Sequence, residues 1–349
     1  MHALTFHGKA TIAFEAVPDP KILAPAEVIL KMRVAGICGS DLHVYHEREK
    51  GMDHGAIMGH EVVGEIVEIG REVRQCQKGD LVVAPFTTSC GRCYYCQIGL
   101  TCRCEAGQLF GWVQNGAGLQ GAQAEYLRVP LAEATVLVLP EEIIPEEALF
   151  LGDILATGYF CAAQAQIDPR GTYAILGCGP VGLMAIIGAR EHGAEKIYAI
   201  DSVPERLQLA ADFGAMPLHL HKDDPLHLVR EQTQGRGADA VLEVVGNASA
   251  QRLAYEMVRP GGVISVVGVH TLAPFAFSPA EAYDKNIAYK VGRCPARHLM
   301  PRLLPMVQNR KYALQRVISH RLPLAAGAEG YRIFDQKLEG CTKVILLPE

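Results

Sequence analysis

The stretch Thr172-Tyr173-Ala174-Ile175-Leu176-Gly177-Cys178-Gly179-Pro180-Val181-Gly182-Leu183-Met184 decides the fold. Thr172 to Leu176 reads as a short apolar strand, and Pro180 to His192 as an apolar helix opened by glycine and proline. Between them Gly177 to Gly182 forms a G-x-G-x-x-G. Alone that hexapeptide is a weak signal, but a strand before it, a helix after it and an acid at the next strand's end give it meaning. Gly177 permits a tight turn, Gly179 lets backbone approach a pyrophosphate, and Gly182 lets the helix pack closely on the strand. Pro180 and Val181 open a helix whose free N–H groups and positive dipole suit phosphate. Asp201 closes the second strand, Lys196 to Ile200. Its carboxylate can accept from both ribose hydroxyls and repels a 2′-phosphate, which favours NAD over NADP. Arg206 nearby can lie against adenine or restore some NADP binding.

Outward from this segment the pattern continues. A helix from Pro204 to Phe213 is followed by a strand from Ala238 to Val245, a helix from Ser249 to Val258 and a strand from Gly262 to Val267. Strands alternating with helices of this length imply βαβ units, hence an α/β, Rossmann-type doubly wound parallel sheet. Upstream the texture differs. Val28–Val34, Glu61–Ile69, Asp80–Ala84, Ala124–Val129 and Thr135–Leu139 are β-branched or apolar runs bounded by turn residues and charge. From Glu146 to Gln164 the pattern turns helical with no internal proline. Near the end, a helix from about His298 to Gln308 and a strand from Thr342 to Leu347 do not continue the alternation, which suggests a return to the first domain.

Composition narrows the function classes. The chain has 349 residues, enough for two domains, with 49% hydrophobic and 20% charged residues. A net charge of −5 offers no basic footprint for nucleic acid or anionic membrane. No apolar run is long enough to span a bilayer, and the N-terminus reads as a first strand rather than a signal peptide. A cytoplasmic protein is the default expectation.

Four of the eleven cysteines, Cys90, Cys93, Cys96 and Cys104, crowd together with Cys102 among them. Their spacing, C-x₂-C-x₂-C-x₇-C, suits one tetrahedral zinc. Four protein ligands leave no open position, so such a site holds structure. A ferredoxin-type iron–sulfur cluster would end in a shorter gap and Cys-Pro. By spacing alone Cys102 competes for the fourth place. A second, dispersed set is Cys38, within Gly36-Ile37-Cys38-Gly39-Ser40-Asp41-Leu42-His43, and His60-Glu61. Singly, such residues are more often structural. Together, upstream of a nucleotide fold, they suggest two ligands of a catalytic zinc, which takes three protein ligands and keeps a fourth position for water or substrate.

At these residues the sequence resembles the zinc-containing alcohol dehydrogenases of the medium-chain dehydrogenase/reductase superfamily, over essentially its whole length. The most specific segment is Gly59-His60-Glu61-x₂-Gly64-x₅-Gly70-x₂-Val73. Asp153-Ile154-Leu155-Ala156-Thr157-Gly158-Tyr159 and Gly330-Tyr331-Arg332-Ile333-Phe334-Asp335 look like the threonine, sorbitol and formaldehyde dehydrogenase branch. The resemblance implies a mostly β, GroES-like catalytic domain in two parts, residues 1–154 and 290–349, around a nucleotide domain at 155–289. It implies that Cys104 rather than Cys102 completes the four-cysteine set. It also implies Asp153 as third ligand of the catalytic zinc, with Glu61 able to approach the metal, two zinc ions per chain, and a homo-oligomer, tetramer or dimer.

For chemistry, the resemblance implies oxidation of a small alcohol, polyol or amino alcohol to the carbonyl, with hydride passing from a zinc-bound alkoxide to NAD. Ser40 resembles the relay hydroxyl, His43 the histidine that hands the proton to solvent, and Thr157 a residue packing beside the nicotinamide. Phe110, Trp112 and Tyr45 are candidates to line a substrate pocket. The alternatives are a non-catalytic NAD-binding or structural protein on the same fold, and a zinc-free quinone reductase, which would normally lack both metal sets.

Overall fold

Thr172–Leu176 lies inside a six-stranded sheet of the computed structural model, which describes residues 1–271 and 274–348. In sheet order the strands are Met216–His219, Lys196–Asp201, Thr172–Leu176, Ala238–Glu243, Val258–Val266 and Ala288–Val291. Every pairing between neighbours is parallel. All five residues of Thr172–Leu176 are buried, as a strand covered on both faces requires. The order runs outward from this strand in both directions, so its C-terminal end is a topological switch point, where doubly wound sheets bind ligands. Leu176 is in register with Ile200 on one side and Glu243 on the other. The glycine turn, Asp201 and Glu243 therefore share one edge of the sheet.

Gly177 turns the chain there at φ +93°, a conformation that side chains with a Cβ resist. A Cβ on Gly182 would collide with the Gly177 carbonyl oxygen, which is the close helix-to-strand packing anticipated for that position. The helix Pro180–Glu191 then runs with eight buried residues, from Gly182 to Ala189.

This sheet belongs to one of two compact units, Thr157–Cys294; the other comprises Met1–Ala156 and Pro295–Glu349. The second unit is mostly β. Its main sheet runs His320–Pro323, Val344–Leu347, Val28–Ile37, Val62–Ile69, Leu81–Ala84, Leu137–Val138, with Tyr126–Val129 also paired to Val28–Ile37. The last strand of the chain, Val344–Leu347, lies antiparallel to Val28–Ile37, placing Val344 opposite Ile37. Leu30, Met32, Ile37, Ile66 and Val82 form part of its core.

Two elements depart from the sequence pattern. The helical run at Glu146–Gln164 is broken into a turn at Pro145–Ala148, a 3-10 turn at Leu149–Gly152 and a helix at Ile154–Gln164. Asp153 stands at the break with φ −148° and ψ −83°, outside helical geometry. Apolar periodicity cannot see this, because the residues on either side remain buried. Likewise Thr135 ends a short helix, Ala132–Thr135, before the two-residue strand Leu137–Val138.

Replacing Gly182 with Ala should lower stability by about 1–3 kcal/mol, the cost of inserting atoms where none fit. Urea unfolding measures it, and a variant as stable as the parent would contradict the packing described.

Candidate active site

Cys38, His60, Glu61 and Asp153 reach one point from three separated parts of the chain, each offering one donor atom within 4.8 Å of the others. Cys38 follows the end of the Val28–Ile37 strand. His60 and Glu61 lead into Val62–Ile69, and Asp153 is presented by the helix break. The Cys38 thiol donates to Asp153 Oδ2 at 3.4 Å, and His60 Nε2 lies 3.3 Å from the same oxygen. Ser40 Oγ is 3.2 Å from His60 Nε2, beside the donor set.

Burial decides the electrostatics. It pushes the Cys38 thiol up to about 11, with the Asp153 charge adding to the shift. At His60 burial opposes protonation. The Asp41 charge and the hydrogen bonds that the ring donates to Asp153 and Asp41 outweigh it and lift the imidazole well above its usual range. Burial likewise resists ionisation of Asp153, yet its hydrogen bond to His60 draws it below the ordinary carboxylate value. The field here favours positive charge among sulfur, nitrogen and oxygen donors. That donor chemistry fits zinc.

Glu61 is also within this group but is engaged elsewhere. Lys343 Nζ sits 2.6 Å from both of its carboxylate oxygens and donates to the Ile37 carbonyl at 2.9 Å. Both side chains are buried. Burial raises the Glu61 carboxyl, with Lys343 pulling the other way. Gly36 makes room for the pair, since a Cβ there would collide with the Glu61 carboxylate.

Asp41, within the Cys38 motif, takes a structural part in the site. Its Oδ1 lies 3.1 Å from His60 Nδ1, and its Oδ2 accepts from the Cys38 backbone N–H at 2.9 Å. A carboxylate at Nδ1 selects the tautomer that leaves Nε2 free to face a metal. Its adjacency to Cys38 was the available signal. Lys343, almost at the end of the chain, carried none. His43 is half-buried, with Nδ1 enclosed and making no hydrogen bond among the described residues. Burial, and then the Arg48 charge, hold its pKa below the ordinary value, so the ring is neutral near pH 7.

Cys90, Cys93, Cys96 and Cys104 form the other converging set, again with donors within 4.8 Å. The Cys90 N–H donates to Cys104 Sγ at 3.1 Å and the Cys93 N–H to Cys90 Sγ at 3.4 Å, while Cys93 and Cys104 sulfurs are 3.9 Å apart. Cys102, buried on the 3-10 turn Thr101–Arg103, is not part of this group. Hydrogen bonds from the Glu105 and Cys96 backbone bring the Cys93 thiol down to about 6. Four sulfurs with N–H donors turned toward them suit a closed zinc site.

In the nucleotide unit, Gly179 caps the Pro180–Glu191 helix. The space where its Cβ would stand is open apart from Arg206 Nη1 at 3.7 Å. A backbone cradle with a guanidinium beside it fits a pyrophosphate or adenosine group. Asp201 accepts from the N–H groups of Cys178, Ser202 and Val203 at 2.7, 2.7 and 2.9 Å, which anchors its carboxylate at the turn. Thr157 is half-buried on the Ile154–Gln164 helix. Glu243, which the sequence did not single out, is fully buried. It accepts from Val245 and Gly246 N–H groups, both at 2.7 Å, and pairs with His270 at 2.7 Å. Of the candidate pocket residues, Phe110 is only 1% exposed, so it packs the core rather than lining an open pocket. Tyr45 stacks on Tyr331 at 5.5 Å, and Trp112 rests partly buried against the same core.

The geometry defines a Rossmann-type unit and a β unit that carries two converging sets of candidate metal ligands. Residues 24–141 match the alcohol dehydrogenase GroES-like domain and residues 180–309 the zinc-binding dehydrogenase domain. The chain is 42% identical over 344 residues to zinc-type alcohol dehydrogenase B of Aspergillus flavus, covering 96% of this chain and 79% of that protein. It is 34% identical over 301 residues to an NADP-dependent isopropanol dehydrogenase of Thermoanaerobacter brockii, covering 85% of each. Among solved structures, alcohol dehydrogenase TADH from Thermus sp. ATN1 superimposes with a TM-score of 0.93 at 40% identity, over the full length of both chains. The chain belongs to the zinc-dependent medium-chain dehydrogenase/reductase family and is an enzyme of the alcohol dehydrogenase type, which works with zinc and a nucleotide cofactor. Among the described residues no helix is long and apolar enough to cross a membrane.

Replacing Lys343 with Met would leave the Glu61 carboxylate buried without its counter-charge. A loss of about 3–5 kcal/mol is expected in urea unfolding; no loss would show that the pair does not hold the fold.

Proposed function

We propose that the enzyme oxidises a small alcohol, polyol or amino alcohol to its carbonyl compound with NAD as hydride acceptor. The observation that carries this reading is the convergence of Cys38, His60 and Asp153 on one point, beside the Ser40 hydroxyl. In it Cys38, His60 and Asp153 hold a catalytic zinc, Cys90, Cys93, Cys96 and Cys104 hold a structural one, and Glu61 stays with Lys343 at rest. Bound zinc supplies a Lewis acid that lowers the pKa of an alcohol hydroxyl, and NAD supplies the hydride acceptor.

The chain's own residues do the rest. Asp41 keeps the His60 ring oriented. Ser40 takes the hydroxyl proton and His43, neutral near pH 7, passes it on toward solvent. Gly177, Gly179, Pro180, Val181 and Gly182 cradle the pyrophosphate, and Thr157 packs against the nicotinamide. Asp201 binds the adenosine ribose, and its charge favours NAD even though one relative is NADP-dependent. Arg206 lies by the glycine turn, where it supports adenine and keeps some affinity for NADP. Among the described residues the buried thiols of Cys76, Cys161 and Cys178 form no disulfide, which suits a reducing cytoplasm. Family resemblance supports a homo-oligomer, tetramer or dimer.

Zinc counting joined to NAD-linked turnover tests the reading. The parent should carry two ions, and Cys38→Ala or Asp153→Ala should lose one ion together with activity while the cysteine set keeps its own. Turnover persisting in both variants would overturn it. In the same assay Asp201→Gly should weaken NAD by about 10- to 100-fold, the worth of hydrogen bonds to a charged group, and narrow the gap to NADP. An unchanged NAD/NADP ratio would remove Asp201 as selector.

A further inference from the structure

Gln123 is fully buried and belongs to no catalytic motif, yet its side chain meets the loops that carry both Cys38 and His60. Its Nε2 donates to the Gly36 carbonyl at 3.0 Å and approaches Asp41 Oδ2 at 3.4 Å. A Cβ on Gly59, the residue before His60, would collide with the Gln123 side chain. Its backbone N–H donates to the Met58 carbonyl at 2.9 Å, holding the segment that leads into His60. A further contact comes from the distant C-terminal part of the chain. The Tyr331 hydroxyl, also fully buried, donates to Gln123 Oε1 at 2.9 Å.

These partners permit one orientation of the amide. Gly36 O and the Asp41 carboxylate both require donors, so the NH₂ end must face them. The carbonyl end must then accept, and Tyr331 supplies the proton. Apolar packing would not require this match, because a methionine of similar length fills the same volume. Burying an amide is costly unless its hydrogen bonds are made, and here the partners sit on either side of the candidate zinc ligands.

We propose that Gln123 is a positioning residue for the catalytic metal site, locking the Cys38 loop to the His60 loop through Gly36 and Asp41, with Tyr331 fixing its amide. It acts on the metal through Asp41 and His60 and touches no reacting atom. The inference rests on the assignment of Cys38, His60 and Asp153 as zinc ligands.

The test is zinc release from the purified enzyme to a colorimetric chelator, comparing the parent with Gln123→Met and Tyr331→Phe. Cys38→Ala identifies the phase that belongs to the catalytic site. In Gln123→Met that phase should accelerate about 10- to 100-fold, the usual consequence of losing support behind a ligand. Tyr331→Phe, which deletes one hydroxyl and keeps the ring, should accelerate it less. The phase from the cysteine set should keep its parental rate in both. Parental rates for both phases would overturn the inference, as would equal acceleration of the two, which marks general loosening. A parent that carries only the ion of the cysteine set would instead overturn the ligand assignment on which the inference rests. If Gln123→Met does not fold, Tyr331→Phe decides alone.

Discussion

The buried pair of Glu61 and Lys343 is the constraint around which the β unit is arranged. A cation site needs negative donors close together, and a carboxylate added beside them, as Glu61 is beside Asp153, would repel them in a poorly polarisable interior. Lys343 supplies the counter-charge, held against both oxygens of Glu61 and the Ile37 carbonyl. It can do so only because the last strand lies alongside Val28–Ile37, with Val344 opposite Ile37. The C-terminal segment is thus part of the site's electrostatics as well as of its sheet.

Around that pair the other contacts fall into place. Asp41 meets His60 on one side and the Cys38 backbone on the other, so one carboxylate orients two candidate ligands. Asp153 reaches the same point because the helix is broken there, leaving its side chain free of helical direction. The cysteine set follows a different logic. Its donors come from one short segment, and backbone N–H groups at Cys90 and Cys93 turn toward sulfur. One set is assembled across the fold and the other within a loop, which fits one set that does chemistry and one that holds shape.

In the nucleotide unit the decisive interactions are steric. Gly177 and Gly182 are in such close contact that no side chain fits between turn and helix. Asp201 is anchored by three backbone N–H groups before any ligand binds. On the far side of Thr172–Leu176, Glu243 ties its own turn to His270 by three hydrogen bonds. The edge where a dinucleotide binds in such sheets is therefore built from backbone, the half-buried Asp201 and the buried Glu243, each carboxylate already held by hydrogen bonds.

Much of this was legible from residue order alone. Glycine spacing, alternation of strand and helix, and close cysteine spacing are local properties, and local sterics and covalent proximity enforce them wherever the segment folds. Hence the parallel sheet and the cluster of Cys90, Cys93 and Cys96 could be read directly, and the motifs named Cys38 and His60, while family resemblance was needed to choose Cys104 over Cys102 and to name Asp153. What the sequence could not carry were contacts between distant segments. Lys343 lies 282 positions from Glu61, Tyr331 lies 208 from Gln123, and Phe110 looked as available as any aromatic until packing buried it. Those choices depend on which strands become neighbours, and only the assembled core, by excluding water from each charge and hydroxyl, decides which partner each must find.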